Sequence, residues 1–241
     1  MKITILIISL IISISSVAFS QSVLNYQSGT GLEVQTGASV CADNVIMNGT
    51  FTGGGTLCGL FSTLNLTAFM EGFYNSASNI MISDTVRVFL RNATFPYAII
   101  DSTKSTLNSS GAGAFTFSYP VNGVNYFIVI KHRNSIETWS KTAQAFTGGS
   151  LTYNFSSSNT QAFGNNMKQI DASPVRFGIY SGDINQDGTI DATDVSNADN
   201  DAFSSVSGYV NTDVTGDNFV DAADVSIVDN NAFNSASVIS P

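Results

Sequence analysis

The sequence predicts a mainly β protein: a β-sandwich that carries at its C-terminal end a small all-α unit of two loop–helix repeats. Three observations lead there. Short runs of alternating apolar residues, separated by Gly- and Asn-containing turns, recur from Leu64 to Tyr180. No window of that region carries a 3.6-residue apolar period. From residue 181 the texture changes, and a segment repeats itself after 30 residues.

The chain begins with Met1-Lys2, the mostly apolar run Ile3 to Ile14, and the small-x-small site Ala18-Phe19-Ser20. This pattern predicts a signal peptide over 1–20, cleaved after Ser20. The run is short for a bilayer span of about 20 residues, and no second apolar stretch of that length follows. The expected location is therefore extracellular, free or associated with the cell surface.

Residues 21–60 form a Gly-rich segment with brief apolar alternation, Leu32 with Val34 and Val45 with Met47. Short strands joined by tight turns are expected. Its two cysteines, Cys41 and Cys58, most simply pair in an oxidising compartment, the alternative being two buried thiols. Closing that loop would contribute about 3 kcal/mol, a useful staple for a segment too short to bury much core.

Residues 61–180 supply the sandwich. Leu64, Leu66, Ala68 and Met70 alternate, as do Val86, Val88 and Leu90, then Phe115, Phe117 and Tyr119. Tyr126 to Ile130 is continuously apolar, Leu151, Tyr153 and Phe155 alternate again, and Phe177 and Ile179 close the set. Seven or so such strands argue a sandwich. The hairpin running from Gly111 through Phe115-Thr116-Phe117 and Asn122-Gly123 to Ile130 resembles those of carboxypeptidase-regulatory-like and collagen-adhesin B-type modules. That resemblance implies a non-catalytic, prealbumin-like sandwich appended to a secreted protein.

The chain holds 9 Lys+Arg against 18 Asp+Glu, a formal net charge of −9. This balance excludes a nucleic-acid binder that works by neutralising phosphates. Residues 181–241 hold 11 of the acids, all Asp, and no Lys or Arg. The remaining 7 acids face all 9 basic residues, a net of +2 for residues 1–180. The acidity belongs to the last quarter of the chain.

There, residues 183–203 align with 213–233. In each copy, side-chain oxygens fall at positions 1, 3, 5, 9 and 12 of a twelve-residue loop, the spacing by which a chain curls around a hard cation. They belong to Asp183, Asn185, Asp187, Asp191 and Asp194, and to Asp213, Thr215, Asp217, Asp221 and Asp224. The carbonyls of Thr189 and Phe219, at position 7, add one donor to each loop. Gly188 and Asn218 occupy the turn at position 6, where a positive φ is tolerated. Ile190 and Val220 are expected to join the loops through a short β-bridge. A helix should start at position 10, capped by Asp191 or Asp221. Its apolar face is read as Val195, Ala198 and Ala202-Phe203, repeated as Val225, Val228 and Ala232-Phe233. Two Ca²⁺ ions are expected, with folding coupled to their binding.

Asp at positions 9 and 12, no recognisable helix ahead of either loop, and a duplicated loop–helix unit resemble type I dockerin modules, over residues 182–235. The resemblance implies an EF-hand-like domain over 181–235, followed by a short tail, 236–241. Its ligands would be those ten side chains and two carbonyls. Its partner would be a cohesin-like or other scaffold or surface protein, met at Ala192, Thr193, Ala222 and Ala223. Thr215 is a neutral, poorer ligand, so the second site is expected to be weaker. The helices also lack the Lys and Arg common in cellulosomal dockerins.

No G-x-S-x-G, H-E-x-x-H or phosphate loop is present. His132, the one histidine, reads as a surface or turn residue, and Glu33, Glu71 and Glu137 as solvated acids; no enzyme is expected. Two other readings stand beside attachment through the loops. Trp139 with Tyr126 or Tyr153 would form a polysaccharide-stacking platform, or the protein would assemble into an extracellular fibre through its sheet edges.

Overall fold

The computed structural model describes residues 23–241 apart from 42–43, 48, 59–60, 119 and 121–122. The expected signal peptide, 1–20, lies outside them, and so do the side chains of Cys41 and Cys58 and hence their pairing.

The N-terminal segment holds β1 (Val23–Tyr26), β2 (Gly31–Glu33), β3 (Ser39–Cys41), β4 (Asn44–Met47), β5 (Thr50–Thr52) and β6 (Thr56–Cys58). These strands do not pair as hairpins with their sequence neighbours. β1 pairs with β4, β2 with β5 and β3 with β6, all in parallel. Two successive coils of chain are thus stacked strand on strand. The register sets Leu32 beside Phe51 and Cys41 beside Cys58, and Leu32, Val34 and Val45 are buried. Close stacking explains one glycine: a Cβ on Gly53, whose φ is +97°, would lie 2.1 Å from the Val34 carbonyl oxygen.

The sandwich continues with β7 (Ser62–Thr67), β8 (Tyr74–Asn75), β9 (Ile80–Met81), β10 (Asp84–Asn92), β11 (Ile99–Leu107) and β12 (Ala112–Phe117). Then come β13 (Asn125–His132), β14 (Ser135–Trp139), β15 (Gln144–Ala145), β16 (Ser150–Asn154), β17 (Lys168–Ala172) and β18 (Val175–Gly178). One sheet runs β11-β10-β13-β14, with β15 also on β13; the other runs β12-β7-β16. The alternation read in the sequence decides what faces inward. Val86, Val88 and Leu90 meet Leu64, Leu66, Phe115 and Phe117, all essentially inaccessible. β13 is apolar on both faces because Phe127 and Val129 pack outward with Trp139 in a second, smaller cluster.

The core does not stop at residue 181. Ile184, Ile190, Ala198, Val214, Val228 and Ala236 join the sandwich side chains in one cluster. The helices are α1 (Ala192–Phe203) and α2 (Ala222–Phe233), starting at loop position 10 as expected. No helix among the described residues is long and apolar enough to cross a membrane.

Two expectations for this region are corrected. Phe203 and Phe233 do not belong to the apolar faces; they are 92 % and 88 % exposed. Eight residues beyond Val195 and Val225, at about 100° per residue, each has rotated some 80° off the buried stripe. The loops also do not bridge each other through Ile190 and Val220. Thr189 bridges Ser237 and Phe219 bridges Ser207, so each loop pairs with the segment that follows the other unit's helix.

Candidate functional site

Each loop is shaped by its own acids. Asp191 and Asp221 cap their helices, accepting from the backbone N–H of Thr193 and Ala223 at 2.7 Å. Asp194 and Asp224, three residues on, accept in return from Asp191 N and Asp221 N, at 3.1 and 2.9 Å, completing capping boxes. Their other oxygens reach the loop start, where Asp194 Oδ1 accepts from Ile184 N and Asn185 N. Asp224 Oδ1 does the same for Val214 N and Thr215 N. Both carboxylates are fully buried, and the three N–H groups each one accepts from explain how such charges are tolerated.

Position 6 behaves as its residues require, with φ of +92° at Gly188 and +69° at Asn218. Asp187 Oδ1 and Asp217 Oδ1 accept from Thr189 N and Phe219 N at 2.9 Å. On the outer side, Ile190 N and Gly188 O bond to Ala236 and Val238, while Val220 N and Asn218 O bond to Val206 and Gly208. The backbone alternation then turns the carbonyls of Thr189 and Phe219 away from those paired segments. Thr189, Phe219 and the residues flanking them thus tie the segment after each helix, including Ala236 to Val238, into the site.

Asp183 is the exceptional residue. Its carboxylate is buried; Oδ2 accepts one long hydrogen bond, from Gly188 N at 3.3 Å, and Oδ1 has no partner. Burial, then the negative charges of Asp194 and Asp187, pushes its pKa up to about 6. In the second loop Thr215 Oγ1 is likewise buried without a partner. Among the described residues, no three carboxylate, imidazole or thiol groups are gathered as a ready metal cluster. The donors that line these loops are of mixed kind, though: carboxylate, amide, hydroxyl and carbonyl oxygens. That set suits a hard, flexibly coordinated ion such as Ca²⁺, and a cation is one partner that could satisfy an orphaned, buried carboxylate oxygen.

Ala192, Thr193, Ala222 and Ala223 are exposed on the first turns of the helices. His132 is not the surface residue expected. It is 2 % exposed, with Nε2 at 3.1 Å from Asp84 Oδ2 and Nδ1 at 3.3 Å from Ser135 Oγ. Next to it, Arg133 and Asn134 reach from the β13–β14 turn to both loops. Asn134 O accepts from Gly182 N at 2.6 Å, and Asn134 Nδ2 donates to Asp213 O at 2.8 Å. Sequence reasoning missed this turn because nothing local links residue 133 to residue 213.

The other candidates are placed as follows. Glu71 is not a solvated acid, because it pairs with Lys168 and accepts from Asn231. Glu137 lies 4.0 Å from Arg91 and accepts from Trp139 Nε1 at 2.9 Å. Trp139 is 5 % exposed, packed edge-on against Tyr97 and Phe127 beneath the Arg91 guanidinium. Its ring offers no open platform for a sugar.

No family model matches the chain, and no curated protein matches it. Chains from two solved complexes of Acetivibrio cellulolyticus are similar in part; both are interface mutants of a type II cohesin–X-dockerin complex. For the C-terminal interface mutant, the match has 15 % identity and a TM-score of 0.43, over 70 % of this chain and 94 % of that one. For the N-terminal interface mutant the values are 16 % and 0.39, over 72 % and 95 %. Likeness at this level fixes neither function nor partner.

Proposed function

We propose that this is a secreted, non-catalytic calcium-binding protein whose duplicated loops shape a docking unit for an extracellular partner, a cohesin-like or other surface or scaffold protein. The observation that carries the reading is Asp183 Oδ1, buried and unpartnered at the start of a loop whose spacing of oxygen-bearing side chains recurs 30 residues later. The first site would use Asp183, Asn185, Asp187, the Thr189 carbonyl, Asp191 and Asp194. The second would use Asp213, Thr215, Asp217, the Phe219 carbonyl, Asp221 and Asp224. Bound calcium offsets two of the four carboxylate charges in each loop and fixes the start of each helix. That in turn presents Ala192, Thr193, Ala222 and Ala223 in one geometry. The signal-peptide pattern at residues 1–20 supports secretion.

Thermal melting of the mature chain with 1 mM CaCl₂ and with chelator tests the ion. Calcium should raise the melting temperature, and equal melting under both conditions refutes the reading. A calcium-dependent pull-down from the native secreted fraction tests docking, and no retained protein refutes that half.

A second reading, self-assembly, is favoured by one observation. The two stacked coils of β1–β6 pair only with each other among the described strands, leaving parallel edges open to another chain. Polymers of the single purified chain in electron micrographs would support it, and a monodisperse monomer would exclude it.

A further inference from the structure

The two loops repeat in sequence, but the sandwich treats them differently. Arg133 donates through one terminal nitrogen to Asp213 Oδ2 at 3.2 Å, through Nε to Asp84 Oδ2 at 3.2 Å, and through its other terminal nitrogen to the Val210 carbonyl. Its guanidinium lies 4.3 Å from the centre of the Tyr209 ring and 5.3 Å from that of Phe73. Tyr209 closes the circle by donating to Asp84 Oδ1 at 2.7 Å. Asp213 also accepts from the N–H groups of Gly216, Asp217 and Asn218. Both its oxygens are committed. Asp183, the matching first residue of the other loop, makes no ion pair among the described residues and keeps one oxygen bare.

We propose that Arg133 is a resident positive charge on the second loop, so that the chain takes up calcium in two unequal steps, tightly in the Asp183 loop and weakly in the Asp213 loop. This rests on the calcium reading above. The guanidinium is held on three sides and largely buried, so it does not swing away when an ion approaches. A divalent ion entering the second loop meets that charge in a partly buried setting, at a cost of at least about tenfold in affinity. Thr215, standing where the first loop has Asn185, adds in the same direction. Arg133 is a positioning residue: it acts on the ion through Asp213.

Isothermal titration of the full mature chain with CaCl₂ is the test. The wild type should show two classes of site separated by at least about tenfold. D183N should remove the tight class, and loss of the weak class instead overturns the proposal. R133Q combined with D84N removes the guanidinium and one of its two carboxylate partners, leaving Asp213 to its three backbone N–H donors. It should tighten the weak class by about tenfold, while D84N alone keeps two classes. R133K keeps the charge without the planar fork and should preserve the separation. A weak class unchanged or weakened in the double variant overturns the proposal, and so does a separation lost in R133K. Absence of any calcium uptake by the wild type overturns the calcium reading and this proposal together. Two equal sites in the wild type overturn this proposal alone.

Discussion

The side-chain amide of Asn231 donates to Glu71 Oε2 at 2.6 Å, joining the last turn of the last helix to the sandwich across 160 residues of sequence. The same Nδ2 donates to Ser181 O at 2.8 Å, and Oδ1 accepts from Lys168 Nζ at 3.0 Å. Asn231 is fully buried. N231A strands those partners and should lower stability by about 1–3 kcal/mol, read as a shift in the urea midpoint. A loss below about 0.5 kcal/mol, the range of ordinary surface substitutions, would show the contact to be incidental.

Calcium should stabilise the whole described sandwich and not the loops alone, because the core runs unbroken from Leu64 to Ala236. At calcium a hundredfold above the dissociation constant, each site adds about 2.7 kcal/mol. Melting followed by the near-ultraviolet signal of Trp139 should therefore shift with calcium together with the far-ultraviolet signal. Independent transitions would contradict the continuity of the core.

Asp183 predicts a pH dependence of definite sign. Its pKa in the folded, metal-free chain is raised to about 6, above the unfolded value of about 3.9. The folded state thus binds the extra proton, and metal-free stability falls as pH rises from about 4 to about 6. With chelator present, D183N should melt higher than wild type at pH 7 and lose that slope. A metal-free D183N that melts lower would mean that the carboxylate is not repelled in the empty loop.

Asp84 works the other way. Burial alone would raise its pKa, but hydrogen bonds from His132, Tyr209 and Thr85 N hold it well below the ordinary carboxylate range. Its contribution is present above about pH 4, the unfolded value, and is lost as acid protonates the folded carboxylate. D84N should flatten the acid limb of the stability curve below pH 4. An unchanged limb would remove Asp84 from the account.

Phe203 and Phe233 stand in solvent at equivalent places on the two units. F203S with F233S should alter stability by under about 0.5 kcal/mol per site, since neither ring packs in the core. If the docking partner covers these rings, the double variant should lose retention in the calcium pull-down while melting like wild type. Full retention would place the contact elsewhere, on the first-turn residues.

By itself the sequence determined what depends on near neighbours. Strand alternation from Leu64 onward, the positive φ at Gly188 and Asn218, the capping boxes and the helix starts are all written within a few residues of where they act. The order of donors around each loop is equally local. What only the tertiary structure decided are pairings between distant segments. The parallel stacking of β1–β3 on β4–β6 is one, because apolar alternation states which face is buried and not which strand lies alongside. The burial of His132 against Asp84 is another, as is the capture of Asp213 by Arg133. The repeat even departs from itself at Asp201 and Asn231: Asp201 accepts from Thr212, whereas Asn231 is enclosed by the sandwich. A period of 30 residues makes two units alike, and a single sandwich touching them from one side makes them different.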